Sequence, residues 1–269
     1  MTKIYYLSIL AIFKNESHIL DEWLNSHIKE GVEHFYLINN DSTDNYSEII
    51  DKYNDRVTLI HIHGNGKQIE AYNNHAEQII RETEWVAVID LDEFIFSTEK
   101  NTKLVDYVKE YENNNADGIY LPWIMFGSSN FKKQPDSVIN NFLNRKSYDY
   151  QGAYVGGKSI VKTDKVLNRF ECHLIDIIDN DKYVNENGVF NRKEWFGGCP
   201  DVYMSESKVK NMKLRIHHYA IQSLEYFMNI KAIRGDALNR STNNVRNKNY
   251  FISYDENEVF DDTLKSKYN

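Results

Sequence analysis

The chain has 269 residues and 41% hydrophobic content, enough for one large α/β domain, or a domain with an extension, around a packed core. Its net charge of -8 argues against a general nucleic-acid binder. Two cysteines, Cys172 and Cys199, supply neither a disulfide framework nor metal-binding spacing, which suits a reducing compartment. The apolar run after Lys3 soon meets Lys14, Asn15 and Glu16, so no secretory leader is expected, and no window approaches the ~20 apolar residues of a membrane span.

In chain order, residues 4–13 are apolar and rich in β-formers and read as a first strand. A helix follows, with Ile19, Leu20, Trp23, Leu24 and Ile28 on one face and Gly31 as its stop. Residues 34–38 form a second strand, which ends in the polar cluster Asn39 to Asp44 before a helix over 46–53. Asp41 to Asp44 supply N-cap chemistry for that helix. A third strand at 57–62, the loop His63-Gly64-Asn65-Gly66-Lys67 and a helix over 68–81 come next. Residues 85–89 form a fourth strand. Strand–helix alternation, four times in ninety residues, is the pattern of a Rossmann-like, mostly parallel central sheet flanked by helices.

The fourth strand ends in Asp90-Leu91-Asp92-Glu93. In extended chain Asp90 and Asp92 leave on the same side. Two carboxylates converging at a strand end make a hard-cation site, in the place where open α/β sheets bind ligands. An ordinary acidic loop is the alternative. Right-handed crossovers bring Asn15 and Glu16, Asp41 and Asp44, Lys67 and Gln68, and Asp90 and Asp92 to one crevice. Asp44 reads equally as a helix cap, Glu16 as a macrodipole partner and Lys67 as a solvated charge.

The second half is less regular. A helix is expected over 103–111, strands at 118–123, 156–161 and 214–219, and a helix over 223–234. Trp123 with Phe126-Gly127-Ser128 reads either as a sugar-stacking wall or as core. Residues 176–198 read as a long, mobile loop able to close over a ligand. Residues 231–248 hold five basic residues and one acid, a solvated helix face or a contact for phosphates or anionic lipid.

The ordered set Lys14-Asn15-Glu16, Glu22-Trp23, Gly31 to Tyr36, Asn40 to Asn45, Ala71-Tyr72-Asn73 and Asp90 to Phe94 resembles the GT-A glycosyltransferases, most closely their families 2 and 92 (domain of unknown function 23). Later pieces also fit: Trp123, Phe126-Gly127-Ser128, Lys158 to Val161, His173, His218-Tyr219 with Ser223, and Lys231 with Arg234-Gly235. The resemblance implies a GT-A domain over 1–235, with a nucleotide-binding half at 1–98 and an acceptor-binding half at 99–235. Residues 236–269 would form a C-terminal, acceptor-side extension. It implies metal-dependent, inverting transfer of galactose or another hexose from a UDP-sugar to a glycan or lipopolysaccharide acceptor.

On that resemblance Asn15, Glu16 and Asp41 hold the uridine, and Lys67 and Gln68 belong to the same nucleotide side. Asp90 and Asp92 are the D-x-D pair, with Asp92 and His218 on Mn²⁺ or Mg²⁺ and Asp90 toward ribose or metal. His217 is the runner-up to His218. Lys158, Lys231 and Arg234 would meet the phosphates, and Trp123, Phe126 and Gly127 the sugar or the acceptor. An inverting reaction needs a general base; His173 is the choice over Glu93, Glu171 and Glu194. A cytoplasmic enzyme of bacterial surface-polysaccharide synthesis, peripheral at the inner face of the membrane, would fit. A sugar-phosphate nucleotidyltransferase is disfavoured, because Phe13 to Ser17 contains no glycine-rich phosphate loop. A noncatalytic nucleotide- or carbohydrate-binding module is disfavoured by the intact acid pair.

Overall fold

A computed structural model describes residues 2–149, 153–190, 202–234 and 246–268. The first half is built as its periodicity dictates. Strands β1 (Tyr5–Phe13), β2 (His34–Asn40), β3 (Val57–Ile62) and β4 (Thr83–Val88) alternate with helices α1 (Ser17–Lys29), α2 (Tyr46–Ile50), α3 (Gln68–Asn74) and α4 (Ala76–Glu82). β3, β2, β1 and β4 pair in that order, all parallel. Gly31 ends α1 with φ 90°, where a side chain would also meet Val105. The helix expected over 68–81 is two, because the backbone breaks at His75.

The second half continues the sheet with mixed directions. Its elements are β5 (Glu93–Ser97), α5 (Leu104–Asn113), β6 (Gly118–Met125), α6 (Val138–Asn141), β7 (Asn144–Arg145), β8 (Ala153–Val155) and β9 (Gly157–Lys162). Then come β10 (Tyr183–Val184), β11 (Val202–Met204), α7 (Glu206–Asn211), β12 (Leu214–His218) and α8 (Leu224–Tyr226). A π-helical turn over Phe227–Lys231 joins α8 to α9 (Ala232–Arg234). The chain closes with α10 (Lys248–Tyr254), β13 (Val259–Phe260) and α11 (Thr263–Tyr268). The main sheet runs β3-β2-β1-β4-β9-β6-β12-β5, with β10 added beside β6. β9 and β5 run against their neighbours; the other long strands run one way, so β1, β2, β4, β6 and β12 deliver their carboxyl ends to one edge. This is the mostly parallel α/β architecture the sequence pattern implies.

Three further details depart from expectation. Glu93 does not lie in a loop: the chain turns tightly, with Glu93 N bonded to Asp90 O, and re-enters the sheet as β5. Asp44 does not cap its own helix; its carboxylate accepts from Ser17 N (2.7 Å) and caps α1. Residues 176–190 are not a free loop, since Ile177, Tyr183 and Val184 are buried and β10 pairs with β6; residues 191–200 lie outside the described part.

Helix α1 fixes the acid turn. Trp23 Nε1 donates to the Glu93 carbonyl (2.7 Å), and His27 Nε2 accepts from Ile95 N (3.1 Å) while its Nδ1 donates to Trp23 O. Burial lowers the His27 pKa to about 4, so the ring is neutral and can accept. A second constraint comes from Gly157, where a Cβ would sit 2.2 Å from the Leu121 carbonyl oxygen. We therefore expect Gly157→Ala to push β9 off β6 and to cost about 1–3 kcal/mol. Calorimetry should register the loss as a lower Tm.

Candidate functional site

At the carboxyl edge lies a cavity of about 560 Å³, within the range of ligand sites. Its floor is the Asp90–Asp92 turn. Asp90 presents a 36% exposed side chain to the cavity, and Lys158 from β9, 1% exposed, donates to it (2.8 Å) and to the Cys172 carbonyl (2.8 Å). Gln68 from α3 donates to the other Asp90 oxygen (3.3 Å). Burial would raise the Asp90 carboxyl, but the Lys158 ammonium outweighs it and holds it low; the carboxylates in turn keep Lys158 charged against its own burial.

Asp92 is buried and meets Lys231 from the π-helical turn. Its Oδ1 faces His218 Nε2 at 3.6 Å. Burial opposes the Asp92 charge, yet Lys231 and then His218 hold its carboxyl well below the usual range. Behind them sits Glu93, fully buried, accepting from Asp90 N (3.0 Å). Burial raises the Glu93 carboxyl well above the ordinary carboxylate range, with Lys158 opposing it. Glu93 Oε1 and His218 Nδ1 are both buried without a hydrogen-bond partner, 4.0 Å apart.

The donor set fits a divalent cation. Asp92, Glu93 and His218 offer ligand atoms within 4.8 Å of one another. Two ligands at right angles on Mg²⁺ or Mn²⁺ are about 3 Å apart, close to the Asp92–His218 separation. Asp92 and His218 would hold the ion. Glu93 stands where the far ring nitrogen of a metal-bound histidine needs a carboxyl partner. Asp90 is engaged by Lys158 and Gln68. His217, in contrast, is sealed among Phe96, Phe126 and Tyr219.

Other predicted residues divide between cavity and scaffold. Glu16 lines the cavity and pairs with Arg234 (2.9 Å), which also donates to the Lys14 carbonyl (2.8 Å). Trp123 lines it too, its ring between His218 (4.7 Å) and His173 (5.3 Å). His173 Nδ1 lies 3.2 Å from the Gly157 carbonyl, which makes Nδ1 the donor and leaves Nε2 its lone pair. Asn15 and Asp41 do not line the cavity. Both take positive φ, 55° and 57°, a conformation Asn and Asp tolerate, and both brace loops. Asn15 Oδ1 accepts from Thr43 N, and Asp41 accepts from Gly64 N and pairs with His63. Lys67 turns to Glu70 (2.5 Å) and does not line the cavity. Phe126 is core, packed on His217 and Tyr219, and Gly127 has no room for a side chain because Glu256 O and Asn257 crowd it; neither is a cavity wall. Glu171 pairs with Arg169, and Glu194 lies outside the described residues.

Sequence reasoning missed one wall. Lys146, Arg246, Tyr250, Ser253, Tyr254 and Glu256 line the cavity, most of them from the segment read as an extension. The basic residues Lys231, Arg234 and Arg246 therefore face inward; residues 235–245 lie outside the described part. Among the described residues no helix is long and apolar enough to cross a membrane.

A curated glycosyltransferase family 92 protein of Ricinus communis is 31% identical over 138 residues, 49% of this chain and 25% of the relative. This chain thus spans about a quarter of that relative. Among solved structures, S. aureus TarS 1-349, alone and in complex with UDP, gives 20% and 19% identity over 60% of this chain and 48% of that one, with TM-scores of 0.38 and 0.39. HddC from Yersinia pseudotuberculosis gives 15% identity over 67% of this chain and 90% of that one, with a TM-score of 0.36. The sequence model for glycosyltransferase family 92 matches residues 6–194. The chain belongs to glycosyltransferase family 92.

Proposed function

We propose that the chain transfers a hexose, galactose being the first to test, from a UDP-sugar to a glycan or lipid-linked saccharide hydroxyl, with inversion and with Mn²⁺ or Mg²⁺. One observation carries the reading. Six basic side chains line the cavity against four acidic ones, in a chain whose net charge is -8. Such a local reversal of charge suits a diphosphate. The nucleotide would lie along the ends of β1 and β2 and the start of α3, near Lys14, Asn40, Gly66 and Gln68. Its diphosphate would meet Lys231 and Arg234, while Lys158 stays committed to Asp90 and the Cys172 carbonyl.

A bound cation would supply Lewis-acid stabilisation of the departing diphosphate. Asp92 and His218 would hold that cation, while Lys158 fixes Asp90. Lys231 and Arg234 would carry positive charge to the diphosphate oxygens. Trp123 would wall the donor sugar. His173, on the same wall, would take the acceptor proton at Nε2 while its Nδ1–H stays on the Gly157 carbonyl.

Turnover of a UDP-hexose panel, read as UDP release with the product anomer assigned by NMR, tests this. Release from UDP-galactose, or from another UDP-hexose, with inverted product is expected. No release from any UDP-hexose with either metal would sink the reading. His173→Gln should lower kcat about 100-fold or more, the usual range for a lost general base, with UDP affinity retained. Burial and Lys158 hold His173 below its ordinary 6.5, so the base is already neutral at that pH. The acid limb of the kcat/KM profile, which reports the free enzyme, should therefore fall below pH 6.5; a limb centred above it would remove His173 from the role.

A further inference from the structure

Helix α10 lies beyond the residues matched by the family, yet it forms part of the cavity. Asn247 caps it, its side chain accepting from Asn249 N and Tyr250 N. Phe251 anchors it in a satellite core with Ile221, Phe227 and Ala232. Tyr250 and Tyr254, four apart, share one helix face and stack with ring centroids 4.4 Å apart and planes 17° apart. Phe227 continues the stack beneath Tyr250 at 6.0 Å and 12°. Three near-parallel rings thus lead from the buried Phe227 to Tyr254, which is 37% exposed and lines the cavity.

The far end of α10 is tied to the exit of β6. Ser128 N donates to Asp255 (2.8 Å) and Ser129 N to Asn257 (2.7 Å). Glu256 there receives two bonds from Lys146 Nζ (2.7 and 2.8 Å), and both side chains line the cavity. This corner belongs to the β6 side of the sheet, with β4 and β9 between it and the nucleotide-side ends of β1 and β2.

We propose that the Tyr250–Tyr254 stack and the Lys146–Glu256 pair form a subsite for the saccharide acceptor. A pyranose offers one face of C–H groups and a rim of hydroxyls. The aromatic stack matches the face, and the paired ammonium and carboxylate match the rim as donor and acceptor. The stack is held by Phe227 and Phe251 before any ligand arrives, so little ordering is needed on binding. This subsite rests on the transferase reading and names the part of the cavity that receives the hydroxyl to be glycosylated.

Methyl glycosides of galactose, glucose and mannose serve as probes, read by saturation-transfer NMR, with UDP and Mn²⁺ followed in parallel. Wild-type protein should transfer saturation to at least one glycoside. Tyr254→Ala should weaken that binding about tenfold or more while UDP affinity stays within about twofold, in line with ~1.4 kcal/mol per tenfold change. Tyr254→Phe, which keeps the ring face, should retain binding. Glu256→Gln should weaken it without moving UDP. The subsite is overturned if wild-type protein binds none of the three glycosides, if Tyr254→Ala leaves glycoside binding unchanged, or if it weakens UDP in equal measure, which would place the nucleobase on the ring. Loss of UDP binding in the wild-type protein would instead overturn the donor reading.

Discussion

Asp92→Ala should lower sugar transfer at least about 100-fold, the largest effect on activity expected of any single change, because on the proposed mechanism it removes a charged ligand from the cation that would stabilise the leaving diphosphate. The side chain is buried between Lys231 and His218, so no neighbour can take over its oxygens without moving. Asp92→Asn keeps the size and loses the charge, and should fail nearly as badly. Both variants leave the Lys231 ammonium buried without its partner, so folding must be checked by Tm before rates are compared. A folded Asp92→Asn protein within about threefold of the wild-type rate would remove Asp92 from the site.

Lys158→Met should produce the largest loss of stability. Its ammonium is almost wholly buried, holding Asp90 at 2.8 Å and standing 3.8 Å from Glu93. Without it the Asp90 carboxylate faces the cavity uncompensated, and the Cys172 carbonyl loses its donor. Breaking one side of a buried pair costs about 3–5 kcal/mol, and the contact of Asp90 with solvent places this case near the low end. At roughly 2–4 °C per kcal/mol for a chain of this size, Tm should fall by roughly 6–12 °C. A fall of under 2 °C would mean that the pair does not hold the turn together.

The D-x-D turn, the four parallel strands and the inward placement of Glu16, Gln68, Lys158 and His218 were legible because each sits at or beside the end of a strand whose apolar run marks it. Asn15 and Asp41 were found for the right edge, but their positive-φ backbone makes them loop braces; sequence shows the residue type and not the conformation it serves. Phe126 follows Trp123 by three residues, just past the end of β6, and packs into the core on His217 and Tyr219 instead of facing the cavity. Glu93 read as the acid beside the D-x-D pair and as a candidate base. Only the tight return of the chain into β5, beneath Trp23 and His27, turns it into a fully buried carboxyl behind His218. The wall from α10 carried a legible signal, Tyr250 and Tyr254 at helical spacing, but nothing local tells a sequence reader that residues 250 and 125 will face one space.

On the proposed mechanism, a divalent cation held by Asp92 and His218 couples to a nucleoside diphosphate in this cavity. Titration calorimetry of UDP into the protein, with Mn²⁺ and then with excess chelator, tests it most directly. At least tenfold tighter UDP binding with Mn²⁺, with that gain lost in His218→Ala, is the expected result. UDP affinity that is the same with Mn²⁺ and with chelator would contradict it.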